Sequence, residues 1–373
     1  MTGKKRLLPL GFMVILCGIT LSAVLRDPDG AAGVLRRGWD HPAILAEALE
    51  EFLQENLPFR EELRGGVLRL RMLGGSSEQN GVFLVEDGLV ENLTVTGDTT
   101  LHRNNTRQIL AVMERSSSPA HFMLIPTACA IYQDRLPEYA PLYNQRGYID
   151  NTYKQFYGTA STVDAYNALL YSDSDYLYYR TEGSLTALGG YALYQVLGAR
   201  LGFVPRPLSQ FEIDYQVHDY YGNLYQRWGY GGVRGDVIAT CRDTQGGTTS
   251  RVLNWERYGP KTYHTLYPRE AAVSGDGLDV ILGGHAPRIE IFTEGGRSSS
   301  LLVLGDRTAL SYLPFLAGHY QKITFLDLSL LTASEIGAFD PDDYTQILFA
   351  YSMDTYLNTE HPSKAGELGP AAG

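Results

Sequence analysis

Apolar positions along the chain fall into three kinds of run, and each kind predicts a different element. Continuous runs occur at His121-Phe122-Met123-Leu124-Ile125, Leu301-Leu302-Val303-Leu304, Ile323-Thr324-Phe325-Leu326-Asp327 and Ile347-Leu348-Phe349-Ala350-Tyr351. Runs of this length without alternation read as strands buried on both faces of a parallel sheet. Helical spacing appears between and before them. It covers Ile44, Leu45, Ala48, Leu49 and Phe52, breaks at Pro58, resumes from Glu61 to Leu73, and returns over Thr106 to Glu114 and Ile149 to Tyr157. Another helix opens at Thr186 and carries Leu188, Tyr191, Ala192, Val196 and Ala199 to Gly202; Gly189-Gly190 inside it costs helix propensity and predicts close packing against a neighbour. Strict alternation marks Phe211, Ile213, Tyr215 and Val217 as a half-buried strand. Residues 79–84 and 86–90 read as a hairpin in which Asp87-Gly88 supplies the left-handed turn. Strands alternating with helices predict an α/β fold, with residues 211–292, rich in short runs and glycine turns, as a β-rich insertion.

The two termini stand apart from this pattern. Lys4-Lys5-Arg6 precedes an uncharged run from Leu7 to Leu25, closed by Arg26-Asp27. That length and charge order predict a signal anchor over residues 1–26 with the body outside the membrane, while Ser22-Ala23 leaves cleavage and secretion open. Juxtamembrane helices are expected over 27–75, the main domain over 76–358 and a disordered Gly/Pro/Ala-rich tail over 359–373. A net charge of −11 argues against a nucleic-acid partner. With Cys17 in the apolar run, Cys129 and Cys241 are read as separate buried thiols, a disulfide between them being left open. No metal-spaced Cys/His cluster and no cofactor fingerprint is present.

The chain is organised around the stretch from Tyr178 to Tyr191, an aromatic approach expected to be strand-like, a polar hinge and the helix opened by Thr186. Tyr178-Tyr179-Arg180-Thr181, with Gly189-Gly190-Tyr191 after it, resembles the bacterial DHHW family, in which the same frame reads Tyr-Tyr-Arg-Thr-Asp-His-His-Trp-Thr and then Gly-Ala-Tyr. The resemblance extends to Pro58-Phe59-Arg60, the Asn80-Gly81 hairpin, Tyr220-Tyr221-Gly222 and Asp236-Val237-Ile238. It includes Asp306-Arg307-Thr308-Ala309, where the family has Asp-Ser-Tyr-Ala, and then Pro314-Phe315-Leu316 and His319-Tyr320. It implies an SGNH-hydrolase-like three-layer α/β/α sandwich, similar to the alginate-type polysaccharide O-acetyltransferase domains. It further implies serine-based acetyl transfer or ester hydrolysis on cell-surface polysaccharide, often beside a membrane-bound O-acyltransferase.

Against that frame the chemistry has changed. Glu182 stands for the family's aspartate, Gly183 and Ser184 for its histidines, Leu185 for its tryptophan and Arg307 for its serine. Acyl transfer through serine needs a base in hydrogen-bond reach and a carboxylate to orient it; an arginine supplies neither nucleophile nor base. Glu182, Ser184, Asp306 and Arg307 are therefore read as a vestigial site with no catalytic residue, cofactor or metal. Ser184 reads as a hinge or cap, Ser311 as a turn beyond Arg307, and His218, His264, His285 and His319 as structural. Glu182 and Arg307 either form an ion pair in the emptied pocket or are two unrelated surface charges. Two functions follow, a glycan-binding or scaffolding pseudoenzyme on a membrane anchor, or an O-acetyltransferase or esterase with a rearranged site.

Overall fold

The computed structural model describes residues 21–22, 24–38, 48, 52, 77–95, 99–229, 231–244, 250–256, 259–294 and 298–369. The expected signal anchor, apart from a few residues at its end, and the expected helices over 41–53 and 61–73 lie outside them. Among the described residues no helix is long and apolar enough to cross a membrane. The chain divides into two compact units, residues 1–76 with 229–231, and the remainder. In the first, α1 (Pro28–Gly38) contributes Val34 to a small cluster with Ala48 and Phe52.

The second unit carries the strands. A small antiparallel sheet comes first, β1 (Glu78–Gln79), β2 (Val82–Val85) and β3 (Gly88–Glu91). Then follow β4 (Ala120–Ile125), β5 (Ser161–Val163), β6 (Phe211–Tyr220), β7 (Asp236–Asp243), β8 (Ser250–Glu256), β9 (Gly259–Tyr263), β10 (Arg288–Thr293), β11 (Ser300–Gly305), β12 (Lys322–Leu326) and β13 (Gln346–Ser352). Eight of these form one sheet in the order β5-β4-β13-β11-β12-β10-β8-β9. The first five run parallel and the last three antiparallel. The four continuous apolar runs are β4, β11, β12 and β13, at the centre. Their near-unbroken burial requires cover on both faces. Two helix groups pack against these strands: α2 (Thr100–Arg115) with α7 (Met353–Asn358), and α4 (Ala165–Leu170) with α5 (Ala187–Leu201). Two further helices are α3 (Gln145–Tyr153) and α6 (Asn223–Trp228).

Four expectations need correction. Residues 211–292 are not a separate insertion, because β8, β9 and β10 complete the main sheet and only β6 and β7 stand apart as a two-stranded ribbon. Within that ribbon the alternating face is buried only at Phe211: Ile213 is 39% and Tyr215 62% exposed, and the pairing register shifts between Tyr215 and Val217. The left-handed turn of the first sheet lies at Asn80 (φ 54°) and Gly81 (φ 74°), not at Asp87-Gly88. Gly88 serves close approach instead, since a Cβ there would sit 2.8 Å from Arg180 Cβ. Finally, His361–Glu367 is a 3-10 helix rather than a disordered tail. Pro362, Ala365 and Leu368 are buried, and Arg115 donates to the Leu368 carbonyl, so the tail has apolar surface to bury despite its composition.

Candidate functional site

The stretch from Tyr176 to Thr186 is not a strand of any sheet. Its backbone, bent at Leu177 and from Arg180 to Ser184, makes a single antiparallel bridge between Tyr178 and Leu185. The reason is that side chains satisfy its backbone donors. The Tyr132 hydroxyl accepts from Leu177 N (2.9 Å) and Tyr178 N (3.3 Å). The Asp236 carboxylate accepts from Arg180 N (2.7 Å) and Thr181 N (2.8 Å), and also from the Tyr176 and Thr181 hydroxyls (2.5 Å each). With those four backbone donors paired to side chains, the segment meets a neighbouring strand through Leu89 N of β3, which donates to the Arg180 carbonyl (2.8 Å). Asp236, fully buried at the start of β7, thus fixes the site loop from the ribbon.

Thr186 caps α5 as expected. Its hydroxyl accepts from Gly189 N (3.3 Å) and lies 2.7 Å from the Tyr176 carbonyl. The glycine pair packs closely, as its propensity cost implied. A Cβ on Gly189 would fall 2.3 Å from the Leu177 carbonyl oxygen, and one on Gly190 1.9 Å from that of Ser311. The first turn of α5 is therefore the hinge that brings the Thr181–Leu185 loop beside the short 3-10 helix Arg307–Ser311 at the end of β11. One small pocket of about 20 Å³ is lined by Ser184, Leu185, Leu278, Ile281, Arg307, Thr308, Leu310 and Ser311. That volume suits about one water.

The four vestigial positions each have a structural partner. Glu182 is 3% exposed; its carboxylate accepts from the Ser184 hydroxyl (3.1 Å) and from Asn223 N (2.9 Å). Asp306 caps the 3-10 helix through Thr308 N (2.9 Å) and holds the end of β13 through Ser352 N (2.7 Å). Arg307 pairs with Asp276 at 3.5 Å, both side chains being partly exposed. The ion pair between Glu182 and Arg307 is therefore not formed, and Glu182 is no surface charge either. The two residues nevertheless share surroundings. Burial, then the carboxylates of Asp236 and Glu182, push the Tyr179 phenol up, and burial, then Glu182 and Asp276, do so at Tyr220; Arg307 opposes the shift at both.

Among the described residues no histidine hydrogen-bonds to Glu182 or Ser184. His319 meets the Tyr194 hydroxyl at 2.7 Å and stacks on Phe203, and the Ser311 hydroxyl donates to the Thr308 carbonyl (2.8 Å), so both serve packing and capping. His285 bonds Asp327 (2.7 Å) at the end of β12, the strand beside the one that carries Arg307. Cys129 and Cys241 are separate buried thiols; burial pushes Cys129 up and Cys241 to about 12. The described residues hold no group of three or more His, Cys, Asp or Glu side chains placed for a metal ion. Sequence reasoning did not foresee the roles of Asp236 and Asp276. Asp236 entered only as the first residue of the Asp-Val-Ile element of the resemblance, and Asp276, between two glycines, read as turn chemistry.

No family model and no curated protein matches the chain. Among solved structures the fold is similar to that of a DHHW family protein from Eubacterium siraeum, with a TM-score of 0.64, 18% identity, and 79% of this chain and 97% of that chain covered. It is similar also to Bacillus cereus PatB1, with a TM-score of 0.63, 16% identity, and 75% of this chain and 98% of that one covered. PatB1 with a sulfonyl adduct gives a TM-score of 0.61 at 16% identity over 75% of this chain and 97% of that one. The chain shares their fold, as the frame from Tyr178 to Thr181 and from Asp306 to Tyr320 implied.

Proposed function

We propose that this chain is a catalytically degenerate relative of cell-surface polysaccharide O-acetyltransferases, acting by holding a glycan without turning it over. One observation carries the reading. Where the resembling family has its serine, Arg307 stands in an ion pair with Asp276, and Glu182 spends both carboxylate oxygens on Ser184 and Asn223. A nucleophile, a base and a free orienting acid are all lacking at that place. The display site we propose is extracytoplasmic, on a single N-terminal anchor that the apolar run Leu7 to Leu25 would form; a membrane-bound O-acyltransferase is the partner such a protein would serve.

The test is acetyl-ester hydrolysis by the full chain in detergent, beside the variant R307S/E182D/G183H/S184H. A Cβ at position 183 would meet only Glu91 Oε2, at 3.9 Å, so the backbone there admits a side chain. Leu185 is left in place because it is buried at 3% and a tryptophan would overpack it. The expected result is silence from the natural chain and turnover by the variant. Turnover by the natural chain would overturn the proposal and turn attention to the histidine–aspartate pair of His285 and Asp327.

A further inference from the structure

Tyr221 and Tyr225 pack against each other in a tilted pair at the edge of the degenerate site. Their ring centroids are 4.4 Å apart at an interplanar angle of 40°, and Tyr221 is 41% exposed. Tyr221 lies just before α6 and Tyr225 within it, and the buried Leu224 and Trp228 fix that helix. What holds them in place is the site loop itself. Gly222 N donates to the Thr181 hydroxyl (3.1 Å), Asn223 N to Glu182 Oε2 (2.9 Å), and Leu224 N and Tyr225 N to the Thr181 carbonyl (3.0 and 3.2 Å). Gly222 lies so close that a Cβ would fall 2.5 Å from Glu182 Oε2.

We infer that the tyrosine pair is the glycan-binding platform of this protein, that Glu182 positions it, and that its ligand is a neutral saccharide chain. The inference rests on the non-catalytic reading above and names its site and ligand class. An aromatic face takes the apolar C–H face of a pyranose ring while the phenol exchanges hydrogen bonds with its hydroxyls. The charge around the pair selects against an acidic polymer. The three guanidinium groups on the flanking segments are matched by three carboxylates, Arg227 by Glu91, Arg234 by Asp87, and Arg180 by Asp87 and, at 4.0 Å, by the buried Asp236. The chain as a whole carries −11. No unmatched cation on those segments draws a polyanion, and carboxylates accept from sugar hydroxyls without demanding charge. In this arrangement Glu182 has exchanged one task for another, orienting a platform where the resembling family orients a base.

Calorimetric titration of the full chain in detergent with cellohexaose, chitohexaose and hexagalacturonate tests this. At least one neutral hexasaccharide is expected to bind, and hexagalacturonate more weakly. Tyr221→Ala and Tyr225→Ala should each weaken binding by about tenfold, while Tyr221→Phe keeps it. Glu182→Ala should weaken it and Glu182→Gln, whose amide oxygen still accepts from Asn223 N, should restore it. Wild-type affinity in both tyrosine-to-alanine variants would overturn the platform and leave the glycan-binding function standing. Preference for hexagalacturonate would overturn the neutral class. Silence toward all three sugars from the folded chain would overturn platform and function together.

Discussion

The Asp236 carboxylate shows how much of this site hangs on single side chains. It is fully buried and accepts from two backbone N–H groups and two hydroxyls, all on the stretch from Tyr176 to Thr181. Asp236→Asn keeps the shape but turns an NH2 toward one pair of those donors, so two hydrogen bonds are lost and buried donors face each other. Orphaning buried groups of this kind costs roughly 3–5 kcal/mol. Urea unfolding should show that loss, with the backbone of the site loop becoming exchangeable; a change below about 1 kcal/mol would mean that the loop holds itself. Arg307 illustrates the opposite case. Its partner Asp276 is partly exposed and the pair lies at 3.5 Å, so solvent screening leaves it little to contribute to stability.

Among the elements, α5 does most to assemble the site, and its glycines set the sign of a simple experiment. Alanine in place of glycine inside a helix favours folding by about 1 kcal/mol. At Gly190 the added Cβ would lie 1.9 Å from a backbone oxygen of Ser311, which no rotamer change relieves, and overpacking of that kind costs about 3 kcal/mol. The steric cost wins, so Gly190→Ala should destabilise by about 2 kcal/mol in denaturant unfolding, and a stabilised variant would show that the two halves of the site pack less closely. This packing was legible in the sequence because a glycine pair inside a helix demands a reason. The central strands were legible too, since a continuous apolar run has few alternatives to a doubly covered strand. The ribbon's exposed face was not, because alternation gives the period of a strand and not what covers it. Nor was the Tyr176–Thr181 segment, whose aromatic composition reads as strand while its partners, Tyr132 and Asp236, are 44 and 60 residues from Tyr176. Long-range side-chain pairing of that kind leaves no local pattern.

For the molecule as a whole, the acid limb of stability has one identifiable source in the sheet centre. His121 lies in β4, 5% exposed, with neither ring nitrogen hydrogen-bonded. Burial, and then the positive charge of Arg200, lower it from 6.5 to about 4. A base whose folded value is depressed stays neutral while the unfolded chain takes up a proton. Stability is therefore full above about pH 6.5, falls as pH drops from there to about 4, and levels off below. At pH 5 the loss is about 2 kcal/mol, from the linkage constant of about 1.4 kcal/mol per pH unit. The buried carboxylate of Asp327, held low against its burial by His285 and Ser329, loses its stabilisation only at more acid pH, so the two effects separate. His121→Leu should thus leave unfolding at pH 7 close to that of the natural chain and remove about 2 kcal/mol of the difference between pH 7 and pH 5. The comparison needs only denaturant midpoints at the two pH values. Parallel slopes for the two proteins would place the acid sensitivity elsewhere, in carboxylates on the surface rather than in the imidazole at the core.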